Sequence, residues 1–222
     1  MNLSLRIALT PDPEQHERLM ALQSAFAQVC NELAPLVQQT RVWNRVALHH
    51  MAYKGLRERF PALGSQMVCN AIYSVSRASR LIFQTPGSPF HISALAGQPL
   101  PLLRFTHTCP VYFDRHTLSI KQGVASMFTL DGRMKFQLAL SPQQEQAFHT
   151  HRLQEIVLRR TGQQFELAFQ LAPPAADEVS TARQGLPSSA KPEEKPPGLQ
   201  AGLLPGVSSL IFPDYLQVEQ PS

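Results

Sequence analysis

The chain has 222 residues, 43% of them hydrophobic and 16% charged, with a formal net charge of +4, which is enough apolar material for one or two domains with real cores. Its three cysteines have no CxxC spacing, which argues against a disulfide-stapled scaffold and a four-cysteine zinc site. No apolar run approaches the ~18 residues of a membrane span, and residues 1–10 alternate in polarity where a signal peptide has an apolar block, so a soluble, cytoplasmic chain is expected.

Residues 2–9 alternate cleanly, with Leu3, Leu5, Ile7 and Leu9 on one face, as in a half-buried strand. Asp12 reads as an N-cap and Pro13 as the first residue of a helix to about residue 38. Leu19, Leu22, Phe26, Val29, Leu33 and Val37 form its apolar stripe, and Pro35 is expected to kink or end it near Ala34. Residues 41–59 read as a second helix, with Val42, Val46, His49, Tyr53 and Leu56 sharing a face. Its flanks and surface carry Arg41, Arg45, Lys54, Arg57 and Arg59 against a single acid, Glu58. Ser65 is the expected cap of a third helix, whose stripe is Val68, Ala71, Ile72, Val75, Ala78 and Ile82. These three helices suit a small bundle over residues 11–85.

Residues 86–101 are rich in Pro and Gly and read as a linker. The period then changes. Val111–Phe113 and Leu118–Ile120 read as short strands around Asp114-Arg115, and alternating runs on either side of Asp131-Gly132 read as a hairpin. Ser141-Pro142 starts a helical insertion. Leu153 to Arg160 and Phe165 to Leu171 are two closing strands around Thr161-Gly162. Residues 102–171 are thus mostly antiparallel β, as a small barrel or a sandwich. From Ala172 the pattern dissolves into a Pro-rich, mostly disordered tail, 172–222, with an apolar patch at 207–216 that suits docking or pairing.

Charge is unevenly spread: residues 1–171 carry a balance of +7 and residues 172–222 one of −3. The cations of the body are mostly arginine, whose planar fork grips phosphate in two bonds and stacks on bases. A basic body is compatible with a polyanionic partner. The chemistry of catalysis is harder to find. His49 and His50 are neighbours ~100° apart on a helix and do not converge on a metal. There is no HExxH, GxSxG, GxGxxG or GxxxxGK[ST] run, and no motif pairs the acids for two-metal work. No cofactor and no metal site is expected.

Several segments together resemble the N-terminal half of the TnpB family, the transposon-encoded RNA-guided nucleases related to compact type V CRISPR effectors. LSLRIALTPDPEQHERL resembles the family's first strand and helix start. LRERFPALGSQMVCNAIYSVSRA, 56–78, resembles a helical segment, and PLLRF, 101–105, the lead into a barrel. LSIKQG, DGRMKFQLAL and IVLRRTGQQFELAFQL resemble strands of the family's wedge barrel. The resemblance implies an α+β fold: a first barrel strand over 1–10, and a three-helix recognition-like domain over 11–85 inserted into an antiparallel wedge-like β-barrel over 102–171.

It also implies that the chain holds guide-type RNA and its duplex with target DNA by backbone and shape, with base pairing reading the sequence. The contacts would then come from Arg41, Arg45, Lys54, Arg57 and Arg59 around the second helix and Arg77 and Arg80 on the third. On the strands they would come from Arg104, Lys121, Arg133, Lys135, Arg159 and Arg160. The family's RuvC-like acids and four-cysteine zinc finger have no counterpart here. A non-catalytic binder is therefore expected, RNA-guided or serving a nuclease supplied in trans in a prokaryotic cell. The alternative is a protein-interaction adaptor that uses the acidic Pro-rich tail and residues 207–216.

Overall fold

The computed structural model describes residues 2–173 and 212–220. The alternating run forms strand β1 (Leu3–Ala8), and helix α1 (Pro13–Thr40) follows it. The start of α1 is a full capping box: Asp12 accepts from the Gln15 amide at 2.8 Å and the Gln15 side chain accepts from the Asp12 amide at 3.1 Å. The expected stripe is buried from Leu19 to Val37. Pro35 does not end the helix. It deletes the hydrogen bond to the Asn31 carbonyl, but its neighbours Leu33, Ala34 and Val37 are buried, and their packing outweighs the ~3 kcal/mol that an interior proline costs. The helix closes at Arg41, which is left-handed at φ 56° and donates its amide to Val37.

Helix α2 (Arg45–Arg59) begins later than residue 41, because Asn44 captures the Val46 and Ala47 amides at 2.9 and 3.2 Å. Its buried side also differs from the expected one. Leu48 and Leu56 are buried and Ala52 packs beside them, whereas Val46 is 63% exposed. The short sequence offers two weak stripes, and the one with small Ala52 between two leucines seats closest on helix α3 (Ser65–Phe83). The six residues of the α3 stripe are all buried. Ser65 is its first residue rather than its cap. Gly64 holds the cap position at φ 74°, with Phe128 Cζ 3.0 Å from where a Cβ would stand.

The remaining elements are β2 (Leu102–Phe105), β3 (Val111–Phe113), β4 (Leu118–Lys121), β5 (Val124–Thr129), β6 (Gly132–Gln137), α4 (Pro142–Thr150), β7 (Arg152–Thr161), β8 (Gln164–Ala172) and β9 (Leu216–Glu219). Among the described residues the fold is α+β, with four α-helices, a short 3-10 turn at Pro61–Leu63 and antiparallel sheets. Hydrogen bonds link the strands in three ladders, β1-β8-β7-β3, β4-β5-β6 and β2-β9. The two strands around Asp114-Arg115 do not pair with each other. The Asp114 carboxylate accepts from the amides of His116 and Thr117 and from the Thr117 hydroxyl, which closes a tight turn and sends β4 into another sheet. In the Asp131-Gly132 hairpin, Thr129 faces Gly132, so the loop residues are Leu130 and Asp131, and Gly132 enters β6 at φ 98°. The β4–β5 loop is Gln122-Gly123, both at positive φ, a primed turn without the usual Asn or Asp.

Three amides bind α1 to the chain that runs back along it. Gln38 donates to the Leu100 carbonyl at 2.9 Å, and Gln23, fully buried, to that of Cys109 at 3.0 Å. Between them Asn31 both donates to the Phe105 carbonyl and accepts from the Phe105 amide, at 2.8 Å each. Spaced eight and seven residues apart, the three lie on one side of the helix and complete the hydrogen bonding of a short strand. The other edge of that strand, β2, is covered by β9, with Arg104 on Glu219 at 3.1 Å and Phe212 against Phe90 at 5.9 Å between ring centres. The end of the segment expected to be disordered is therefore a strand. Residues 174–211 lie outside the described residues, including 207–211 of the apolar patch. Its described end, Phe212 to Leu216, packs on the body of the same chain.

Candidate nucleic-acid interface

Helix α3 lies along β3, and the two are tied by buried Asn70, which donates to the Tyr112 carbonyl at 3.0 Å. The register opposes Tyr112 to Val157, so Tyr112 shares a sheet face with Glu155 and Arg159. Tyr73, one turn along α3 from Asn70, meets Tyr112 edge to face at 5.3 Å between ring centres. Glu155 accepts through one oxygen from Tyr73 at 2.9 Å and from Arg77 at 2.8 Å, and Arg77 also donates to the Tyr73 hydroxyl at 3.2 Å. The Arg77 guanidinium lies 5.8 Å from the Tyr112 ring centre, and that of Arg45, from α2, lies 5.5 Å from that of Tyr73. The result is an interleaved cluster of arginine and tyrosine at the junction of α2, α3, β3 and β7.

A cleft of about 210 Å³ opens there, lined by Arg45, Asn70, Tyr73, Tyr112, Phe113, Asp114, Gln154 and Glu155. The β7–β8 register slips between Leu153 and Glu155, which sets Gln154 at the cleft wall. Burial holds the protons of Tyr73, Tyr112 and Tyr215 above the ordinary tyrosine range. Glu155 adds to this for Tyr73, and Tyr215 adds to it for Tyr112. Arg77 and Arg159 act on Tyr215 in the opposite sense, which places the end of the described chain beside the same cluster. The Cys69 thiol is raised by burial and lowered by Arg45 and Arg57, so Arg57 belongs to this neighbourhood too.

The thirteen cations singled out in the sequence do not share one surface. Arg45, Arg57, Arg77 and Arg159 gather at the junction. Arg59 is paired with Glu32 of α1, and Arg104 with Glu219 of β9. Arg41 bonds to the Gln98 carbonyl. Arg80 bonds back to Ser76 at 3.3 Å, and Lys54 is exposed on α2. Arg133 is held by Ser126 and by the His116 carbonyl on the three-stranded sheet, where Lys121 and Lys135 are exposed. Arg160 follows Arg159 on β7 and so points to the opposite face, over Phe165 at 5.9 Å. Strand alternation and helix phase scatter residues that are dense in sequence.

Tyr73, Tyr112, Asn70 and Glu155 were not among the sequence candidates. A signal was present in Asn70, Tyr73 and Arg77, which stand three and four residues apart on the polar side of an otherwise apolar helix. The β strand partners of that row carried none. No group of three or more His, Cys, Asp or Glu converges on a metal-sized space among the described residues, and no helix among them is long and apolar enough to cross a membrane. No protein-family model matches the chain, and no curated protein matches it.

Proposed function

We propose that the protein binds nucleic acid at the junction of α2, α3, β3 and β7, and that it holds the strand without cutting it. The observation that carries this reading is the alternation of Arg45, Tyr73, Arg77 and Tyr112, in which Arg45 has no acid partner among the described residues. The exposed Arg45 guanidinium suits a phosphate, and the half-buried Tyr73 ring is the aromatic surface beside it, Tyr112 being buried. The basic balance of residues 1–171 supports the same partner by long-range attraction. The resemblance to the binding half of the TnpB nucleases supports guide-type RNA and its duplex with target DNA as the occupant, with a helical bundle and a wedge-like barrel as two walls of the binding channel. In that reading the nuclease is supplied in trans, in the cytoplasm of a prokaryotic cell.

The test is the salt dependence of binding. Anisotropy of a labelled 12-nucleotide RNA should give a log affinity that falls linearly with log salt, by ~0.7 for each phosphate contacted. Affinity independent of salt, or no binding at low salt, overturns the reading and leaves the adaptor role.

A further inference from the structure

Strand β9 meets the body as a bound peptide does. Among the described strands it pairs with β2 alone, over four residues, from Leu102 opposite Glu219 to Phe105 opposite Leu216. Leu216 and Val218 face inward with buried Leu103 and Phe105, and Gln217 and Glu219 face outward with Arg104. The Tyr215 carbonyl accepts from the Thr106 amide at 2.9 Å and carries the pairing one residue further. On the opposite edge of β2, Asn31 already takes the Phe105 amide and carbonyl, which leaves this edge for pairing. Backbone bonds hold the extended segment and alternate side chains fill the groove, as when a peptide adds a strand to a sheet edge.

Gln122-Gly123 ties β4 to β5 in a two-residue turn, but β9 has no such tie to β2. The 38 residues 174–211 precede Phe212, and a stretch of that length spans up to ~130 Å. The hydrogen bonds, ion pair and ring contact that residues 212–219 make with the body all go to residues 90–106. The same set forms whether the segment belongs to this chain or to another copy. We propose that the outer edge of β2 is a docking site for an extended apolar segment, and that residues 212–219 of a second copy exchange into it. A second copy brings Leu216 and Val218 for the inner face and Glu219 for Arg104. The proposal stands apart from the nucleic-acid reading above. A tethered segment competes at an effective concentration on the order of 1 mM, so a chain fills its own site in dilute solution and exchange grows toward that concentration.

The test captures the exchanged strand between two full chains. Arg104 and Gln217 are exposed and directly opposed, and opposed residues stand ~4.5–5.5 Å apart between Cα atoms, within disulfide reach. One chain carries Arg104→Cys and the other Gln217→Cys, each with Cys69→Ser. Mixed at ~1 mM until the yield is constant and oxidised with glutathione disulfide, they should give a covalent heterodimer, with a yield at least about tenfold lower at ~10 μM. Lys54→Cys, exposed on α2, in place of Gln217→Cys gives the background. Arg104→Cys and Gln217→Cys in one chain should close an internal disulfide at both concentrations. Leu216→Asp in the Gln217→Cys chain should lower the heterodimer to background, because it sets a charge in the groove. A heterodimer no higher than background while the internal disulfide forms overturns the exchange. A yield that Leu216→Asp leaves unchanged shows capture without docking and overturns it too. Failure of the internal disulfide to form overturns the pairing on which the site rests. The cysteine substitutions that form the crosslinks sit at exposed positions, so the comparison of mixture, background and single chain holds even if Leu216→Asp does not fold.

Discussion

Helices α1 and α3 are alike on paper. Each has an unbroken apolar stripe, and each carries amide side chains on the side next to it. In α1 those amides face backbone: Gln23, Asn31 and Gln38 donate to carbonyls of residues 100–109 and Asn31 also accepts from the Phe105 amide, while the Gln23 Oε1 is buried with no partner among the described residues. In α3 the equivalent row turns mostly to side chains instead of backbone. Asn70 donates to the Tyr112 carbonyl, Tyr73 and Arg77 share one oxygen of Glu155, and Arg45 comes across from α2 without an acid partner among the described residues. Polar groups hold backbone along the first helix and gather charged and aromatic side chains at a cleft beside the second. An exposed guanidinium without an acid partner among the described residues, that of Arg45, separates the cleft from the seam, whose amides are neutral.

The comparison breaks most readily on α1. Asn31→Ala leaves the Phe105 amide and carbonyl without their partner and should cost roughly 1–3 kcal/mol in urea unfolding. RNA affinity measured far below the midpoint should stay the same, and a loss of affinity at unchanged stability would put α1 in the interface. On the α3 side the expectation inverts. Arg45→Glu should weaken RNA binding roughly tenfold for every strand sequence, and the melting temperature should not move, since no acid partner is lost. A fall in melting temperature with unchanged affinity would make Arg45 part of the scaffold.

The smallest effect sharpens the contrast through pH. The α1 ladder is made of amides and does not titrate. The α3 side holds three tyrosines whose protons burial retains above the ordinary value of 10.0. Below pH 10 folded and unfolded chains are protonated alike at these groups, and their contribution is intact. Above it the unfolded chain loses protons that the folded chain keeps, so stability falls as pH rises until the folded groups ionise as well. Tyr112→Phe should push the onset of alkaline unfolding, followed by circular dichroism, to higher pH and change little at neutral pH. An onset that does not move would show that Tyr112 is as free to ionise in the folded chain as in the unfolded one.

The elements were largely legible in the sequence, and the site much less so. The Asp12–Gln15 capping box, the α1 and α3 stripes, the capped helix at Ser141-Pro142 and the long β7–β8 hairpin depend on residues within a few positions of one another. Local chemistry decides them. The buried side of α2 was misread because two weak stripes compete there, and only the surface of α3 selects between them. The Gln122-Gly123 turn was missed because Gln rarely takes a positive φ, and β-sheet pairing on either side imposes it. The strand at Leu216–Glu219 has almost no period of its own, and β2 supplies the edge that makes it one. The arginines were read as a density along the chain, but helix phase and strand alternation distribute them over several faces.

By itself, then, the sequence determined most of the helices and strands of residues 1–172, that the body is basic, and that familiar catalytic and metal motifs are absent. Those properties follow from propensity, capping, periodicity and composition, all of which act over a turn or two. The tertiary structure alone decided that Tyr112 and Glu155 stand opposite Tyr73 and Arg77, some 40 to 80 positions away in the chain, and that one carboxylate oxygen there takes both hydrogen bonds. Whether a polar atom is satisfied depends on what the fold brings within about 3 Å of it, and no local pattern encodes that.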